Sequence, residues 1–170
     1  MKLPIMIAVC AGLILSGAAQ AGDIKIDQRF SGVSHPTMVD TNGDEAFAST
    51  FSFQLKGSPG KATIQSVGEF TAFAPGDCPD GGLRSDLIQQ SFVETFKDLS
   101  MLFFVTTTGH TCFNLSTFEI GGELSGIITG GTGRFEGATG SWTTKFEAFL
   151  VGQTVTATIG TTKGTIHVPD

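Results

Sequence analysis

Few residues of this chain have the type and spacing to do chemistry. The most suggestive is Glu94, in the stretch Ile88-Gln89-Gln90-Ser91-Phe92-Val93-Glu94-Thr95-Phe96. At a period of two residues it shares parity with Ile88, Phe92 and Phe96. If that face is buried, Glu94 points into an apolar interior, where desolvation raises a carboxyl pKa and suits it to general acid–base work. Phe92 and Phe96 would then be the apolar contacts of a ligand beside it. Glu69, Glu119 and Glu147 fall opposite the apolar residues of their own runs and are expected in solvent.

Other candidates are weaker. Asp40-Thr41-Asn42-Gly43-Asp44 starts with oxygen donors at alternate positions, like a calcium loop. Glu45 then stands where the sharp turn needs glycine, and Phe51 where the bidentate carboxylate belongs, which favours an Asx-rich turn. Cys78 and Cys112 have no Cys-x-x-Cys partner, and His35, His110 and His167 show no metal-ligand spacing, so no metal site is expected. The same histidines read as loop residues and offer no nucleophile–base pairing. No motif calls for a cofactor.

The stretch GIITGGTGRFEGATGSWT, residues 126–143, carries six glycines and raises the question of a nucleotide loop. A P-loop needs a Lys after its last glycine, and here Arg134-Phe135 follows Gly133. A dinucleotide loop needs a third glycine where Glu136 stands, and a helix where Ser141 to Leu150 alternate like a strand. A hairpin accounts for the run better. Leu124 to Thr129 is read as a strand, Gly130 to Gly133 as its turn, and Phe135 as a residue folded back on the core.

The elements that must position these residues are strands. Period-two alternation recurs at Ile24, Ile26 and Phe30, at Phe47, Phe51, Phe53 and Leu55, and at Ile64, Phe70 and Ala72. It recurs again at Trp142, Phe146, Ala148 and Leu150, and at Val155, Ala157 and Ile159. Turn signals separate the runs, and helical periodicity is lacking; the best candidate, Asp86 to Leu99, reads equally well as a strand. Eight to ten short-linked strands pair antiparallel and must close into a barrel or stack as a β-sandwich. The fold class is therefore all-β, with a closed antiparallel barrel of about eight strands as the first expectation.

The N-terminus reads as a leader. Lys2 precedes the uncharged run Leu3 to Ala18, and Ala19-Gln20-Ala21 gives the small-x-small pattern of a cleavage site, with Cys10 a passenger in the segment. The alternative is a retained N-terminal anchor. Residues 1–21 as signal peptide leave 22–170 as one β-barrel domain without a membrane span. Export to a periplasmic or extracellular compartment makes a Cys78–Cys112 disulfide the default. The ten basic residues lose Lys2, so nine face sixteen acids, a net charge of −7. No basic stripe exists to engage nucleic acid or an anionic membrane surface.

The run ITGGTGRFEGATGSW resembles the signature hairpin of dirigent and allene oxide cyclase-like β-barrels. It is most similar to that of small exported bacterial proteins of this kind. VDTNGD, GEFTAF, DCPDGG, Met101-Leu102-Phe103-Phe104 and HTCFNLSTF resemble the same group. The close match covers residues 120–142 and a looser one most of the chain after the leader. The resemblance implies an eight-stranded, calycin-like barrel with a central cavity, and in the plant relatives that cavity guides cyclisation or coupling of apolar substrates. It assigns no catalytic residue here. Three functions follow as expectations: binding of a small apolar molecule, a cyclase or isomerase using Glu94, or a structural protein whose fifteen phenylalanines fill the interior.

Overall fold

The computed structural model describes residues 21–37, 40, 43, 48–152 and 155–170. All but Ala21 of the leader read in residues 1–21, and most of the calcium-like stretch, lie outside them. The described chain forms nine strands. They are β1 (Gly22–Pro36), β2 (Ser49–Ser58), β3 (Ala62–Phe70), β4 (Ala74–Pro75), β5 (Leu83–Phe96), β6 (Met101–Phe113), β7 (Glu119–Thr132), β8 (Thr139–Leu150) and β9 (Thr156–Val168). All pairings are antiparallel. The order β3-β2-β1-β9-β8-β7-β6-β5 closes on itself where β3 pairs with β5. Eight strands thus make a closed barrel, and the two-residue β4 adds to the rim of β5. The segment that read as helix or strand, Asp86 to Leu99, is mostly β5.

The barrel has a blunt end and an open end. Short connections at residues 59–61, 97–100 and 133–138 gather at the blunt end, beside the start of β1 and the end of β9. At the other end β1 leads to β2, β3 to β5 through the 71–82 connection, β6 to β7 through 114–118, and β8 to β9. Inward residues of the blunt half form the packed core: Ile26, Leu55, Phe96, Leu102, Phe135 and Ile166 are all 3% exposed or less. Alternate residues point inward because the pleat reverses each side chain, and a barrel of this size is just wide enough for the inward set to meet.

The glycine-rich hairpin is a hairpin, with one change of extent. Gly130 and Gly131 remain in β7, paired across to Phe103 and Leu102. The reversal comes later, in a single turn of 3-10 helix at Gly133–Phe135. Gly133 and Gly137 carry φ of 62° and 70°, which a Cβ would penalise. Phe135 is fully buried, as its place in the run suggested. Arg134 caps the blunt end. Its guanidinium lies 4.9 and 4.4 Å from the ring centres of Phe96 and Phe135 and donates to the Pro59 carbonyl at 3.3–3.4 Å. Its Nε is 3.1 Å from Asp98 Oδ2, an ion-pair distance without aligned hydrogen-bond geometry.

A disulfide joins Cys78 to Cys112 and ties the 71–82 connection to β6. Four readings of orientation change. Ile159 faces outward, half-exposed, and its neighbours Thr158 and Thr162 are the buried ones; in a strand with both parities mixed, apolar character alone picked the wrong face. Leu150 ends β8 half-exposed at the rim. Glu69 is fully buried instead of solvated. It lies where the β3–β5 register shifts, opposite Gln89, whose Nε2 donates to Glu69 Oε2 at 2.9 Å. The three histidines belong to strands, not loops: His35 to β1, His110 to β6 and His167 to β9. Glu119 and Glu147 are in solvent as expected.

Candidate functional site

The open half of the barrel is hollow. A cavity of about 400 Å³ runs inward from the open end, within the range of roughly 300–1,000 Å³ typical of small-molecule sites. Its walls take Phe30, Phe53, Phe92, Phe146 and Trp142 from four strands, with Ser66, Gln90, Thr144, Thr158 and Thr162 between them. The lining is more hydroxyl-rich than fifteen phenylalanines and no tyrosine suggest. Among the described residues, none that lines it is ionisable.

Several wall polar groups satisfy one another. Thr106 Oγ1 donates to Gln90 Oε1 at 2.9 Å, and Gln90 Nε2 donates to Ser66 Oγ at 3.3 Å. Ser66 Oγ in turn donates to the Ser91 carbonyl at 3.0 Å. The Thr144 and Thr162 hydroxyls bond each other at 2.7 Å. One of these two hydroxyls donates to the other, so the acceptor's own O–H stays available for a third group.

The inner floor is aromatic. Phe92 and Phe104 stack with centres 4.4 Å apart, and Trp142 stands edge-on to Phe92 at 5.1 Å. The indole lies across from Gly126, its register partner on β7, where a Cβ would come within 2.9 Å of Trp142 Cζ2. Trp142 is 3% exposed, and its Nε1 has no hydrogen-bond partner among the described residues. A buried N–H left unpaired costs about 1–3 kcal/mol, and buried tryptophans usually find an acceptor.

Glu94 points inward, as its parity indicated, but it sits beneath the floor. Phe92 lines the cavity, whereas Glu94 does not, and Phe96 lies deeper still, packed at 4.9 Å against Phe135. Glu94 is 1% exposed. Gln28 Nε2 reaches across the lumen and donates to Glu94 Oε2 at 3.3 Å, while Glu94 Oε1 and Gln28 Oε1 are buried without partners among the described residues. Burial pushes the carboxyl up from 4.5 to about 7, and the Gln28 amide opposes that only in part. A proton therefore resides on Glu94 below neutrality, and the group can give or take it near pH 7.

Gln28 was not singled out from the sequence, although it shares parity with Ile26 and Phe30 and that spacing marks it as inward. Thr144 carries the same signal, between Trp142 and Phe146. Thr162 carried none, because β9 reads nearly alike on both faces. The Gly43 amide donates to Asp40 Oδ1 at 2.6 Å, a local side-chain bond across three residues.

No family model matches the chain, and no curated protein matches it. The solved structure of a pterocarpan synthase dirigent protein is similar over 87% of this chain and 86% of that one, at 12% identity and a TM-score of 0.45.

Proposed function

We propose that this chain is an exported binding protein that holds one small, largely apolar molecule in the open half of its barrel. The observation that carries the reading is the cavity of about 400 Å³, walled by aromatic rings and, among the described residues, bare of ionisable groups. Its entrance supports the same class of guest. Phe73, Leu115, Phe118 and Val151 stand exposed on the connections around the open end, an apolar collar of the kind that marks ligand or partner contact. Export fits the leader read at the N-terminus, and the Cys78–Cys112 bridge suits an oxidising compartment.

A hollow open half weighs against a purely structural protein with a filled core. The cyclase or isomerase reading draws on Glu94, an acid poised near neutrality. It requires substrate to pass Phe92, because Glu94 makes no part of the cavity wall. Binding needs no such movement and is preferred.

Titration with N-phenyl-1-naphthylamine, a neutral apolar dye that brightens out of water, tests the reading. One-to-one saturable binding is expected for the purified chain, with strong loss in Ala148→Trp, which fills the cavity from β8. Emission that rises linearly without saturation, or saturable binding untouched by Ala148→Trp, refutes it.

A further inference from the structure

Resting on the binding reading above, we infer that the guest is an uncharged amphiphile of the long-chain alcohol class, which enters tail first and leaves its oxygen head on a cluster of hydroxyls at the mouth. The argument begins with which wall hydroxyls the fold has already used. On the β3–β5 side, Ser66 and Gln90 are bonded in the chain that ends on the Ser91 carbonyl, and Ser85 donates to the Thr71 carbonyl. Deeper, Thr144 and Thr162 hold each other. Ser34, Ser49, Thr156 and Thr158 also line the cavity, and their hydroxyls have no partner among the described residues. These four sit together. They come from three neighbouring strands at the open end, where Ser34 pairs with Thr156 and Pro36 with Ser49. Thr158 is the next inward residue of β9, 6% exposed, between Gly32 and Ala148, which are too small to cover it. Its Oγ1 is neither bonded nor sealed, so this inward oxygen faces the cavity that the residue lines. Thr111 on β6 is the one other lining hydroxyl without a described partner, and it stands apart from this arc.

The charge of the head follows from the lining. Among the described residues, no Lys, Arg, His, Asp or Glu lines the cavity, so a carboxylate or an ammonium would surrender its hydration for no counter-charge. An alcohol exchanges water for serine and threonine on even terms, because all three are hydroxyls that both donate and accept. The length of the tail follows from the register. Thr158 pairs with Ala148, and Trp142 lies six residues back along β8. At about 3.3 Å per residue that is roughly 20 Å of strand, or about 15 Å of depth at the usual barrel tilt. An extended chain of about ten carbons covers most of that depth, past Phe30, Phe53 and Phe146 to the rings of Phe92 and Trp142 at the inner end.

The probes are decanol, decane, decanoate and decylammonium, each competed against N-phenyl-1-naphthylamine on the purified chain. Decanol is expected to displace the dye, and both ions to displace it more weakly. Thr158→Val keeps the shape of the side chain and removes only the hydroxyl. It is expected to weaken decanol roughly fivefold, the worth of one hydrogen bond, and to leave decane unchanged. Orientation is read separately in the wild type, because Trp142 is the sole tryptophan and bromine quenches indole emission only near contact. Decanol brominated on its terminal methyl is expected to quench Trp142; decanol brominated beside the hydroxyl is not. A Thr158→Val variant that weakens decanol and decane equally, or neither, overturns the inference. So does equal or reversed quenching by the two brominated alcohols, and so does either ion binding more tightly than decanol. If Thr158→Val fails to fold, the brominated pair decides alone. Any of these failures with the dye and decane still bound leaves the binding reading standing; failure of the dye and of every probe to bind removes both.

Discussion

Replacing Glu94 with Gln should change the pH dependence of stability in a way that isolates one buried carboxyl. In the fold Glu94 is 1% exposed, receives a single long hydrogen bond from Gln28, and keeps its proton up to about pH 7. In the unfolded chain it ionises near 4.5. Below pH 4.5 both states hold the proton and the group is neutral toward stability. Between 4.5 and 7 the unfolded chain releases the proton while the fold retains it, so stability falls as pH rises. Above 7 both are ionised and the loss is complete, at about 3 kcal/mol for a difference of roughly 2.5 pKa units at 1.36 kcal/mol each. Glu94→Gln is neutral at every pH, and its new amide N–H faces a Gln28 Oε1 that lacks a partner. The variant should match the wild type within about 1 kcal/mol at pH 4 and exceed it by about 3 kcal/mol at pH 8, a rise of roughly 6–12 °C in Tm for a domain of this size. Urea unfolding from pH 4 to 8.5 measures the difference, which cancels the contributions of all other titrating groups. Parallel curves for the two proteins between pH 5 and 8 would refute a buried, proton-retaining Glu94.

Two further perturbations probe the frame around the cavity. Gly122→Ala would place a Cβ 2.5 Å from Phe146 Cζ and 2.8 Å from the His110 carbonyl; it should cost about 1–3 kcal/mol in urea unfolding and weaken dye binding by pushing the ring into the lumen. Reducing the Cys78–Cys112 bridge, which spans 34 residues, should lower stability by about 4 kcal/mol on the chain-entropy estimate, read as a fall in the urea midpoint with dithiothreitol.

How much of this was legible depends on which signal each residue carried. Strand parity grouped Glu94 with Phe92 and Phe96, and Trp142 with Phe146, and those faces turn inward. It failed on β9, where Thr-Ala-Thr-Ile-Gly-Thr-Thr offers near-equal faces and the buried set is Thr158 and Thr162. It failed on Glu69, because a register shift in the partner strand leaves no trace in β3 itself. Depth along the barrel is not written in parity at all. Phe92, Glu94 and Phe96 share a face yet divide among cavity wall, sub-floor and plug, and only the staggering of eight strands decides which level each one occupies.

Glycine and phenylalanine together explain why a chain with fifteen phenylalanines leaves its barrel half empty. Inward rings are paired across the sheet with glycines: Phe53 with Gly32, Phe30 with Gly160, and Phe146 with both Gly122 and Gly160. At each of Gly32, Gly160 and Gly122 a Cβ would stand 2.4–2.6 Å from a partner ring atom. The rings therefore lie down over bare backbone instead of standing into the lumen. A ring that covers a neighbouring strand buries its own apolar area and shields that backbone, and it leaves the axis open. At the blunt end glycines still flank the inward residues, Gly131 beside Leu102 and Gly140 beside Ile166, but the residues they face are mostly aliphatic, and Leu55, Leu102, Ile166 and Phe135 belong to one packed core. The boundary between the two halves is the level of Phe92 and Trp142, where flat rings laid on glycine backbone give way to a mostly aliphatic plug.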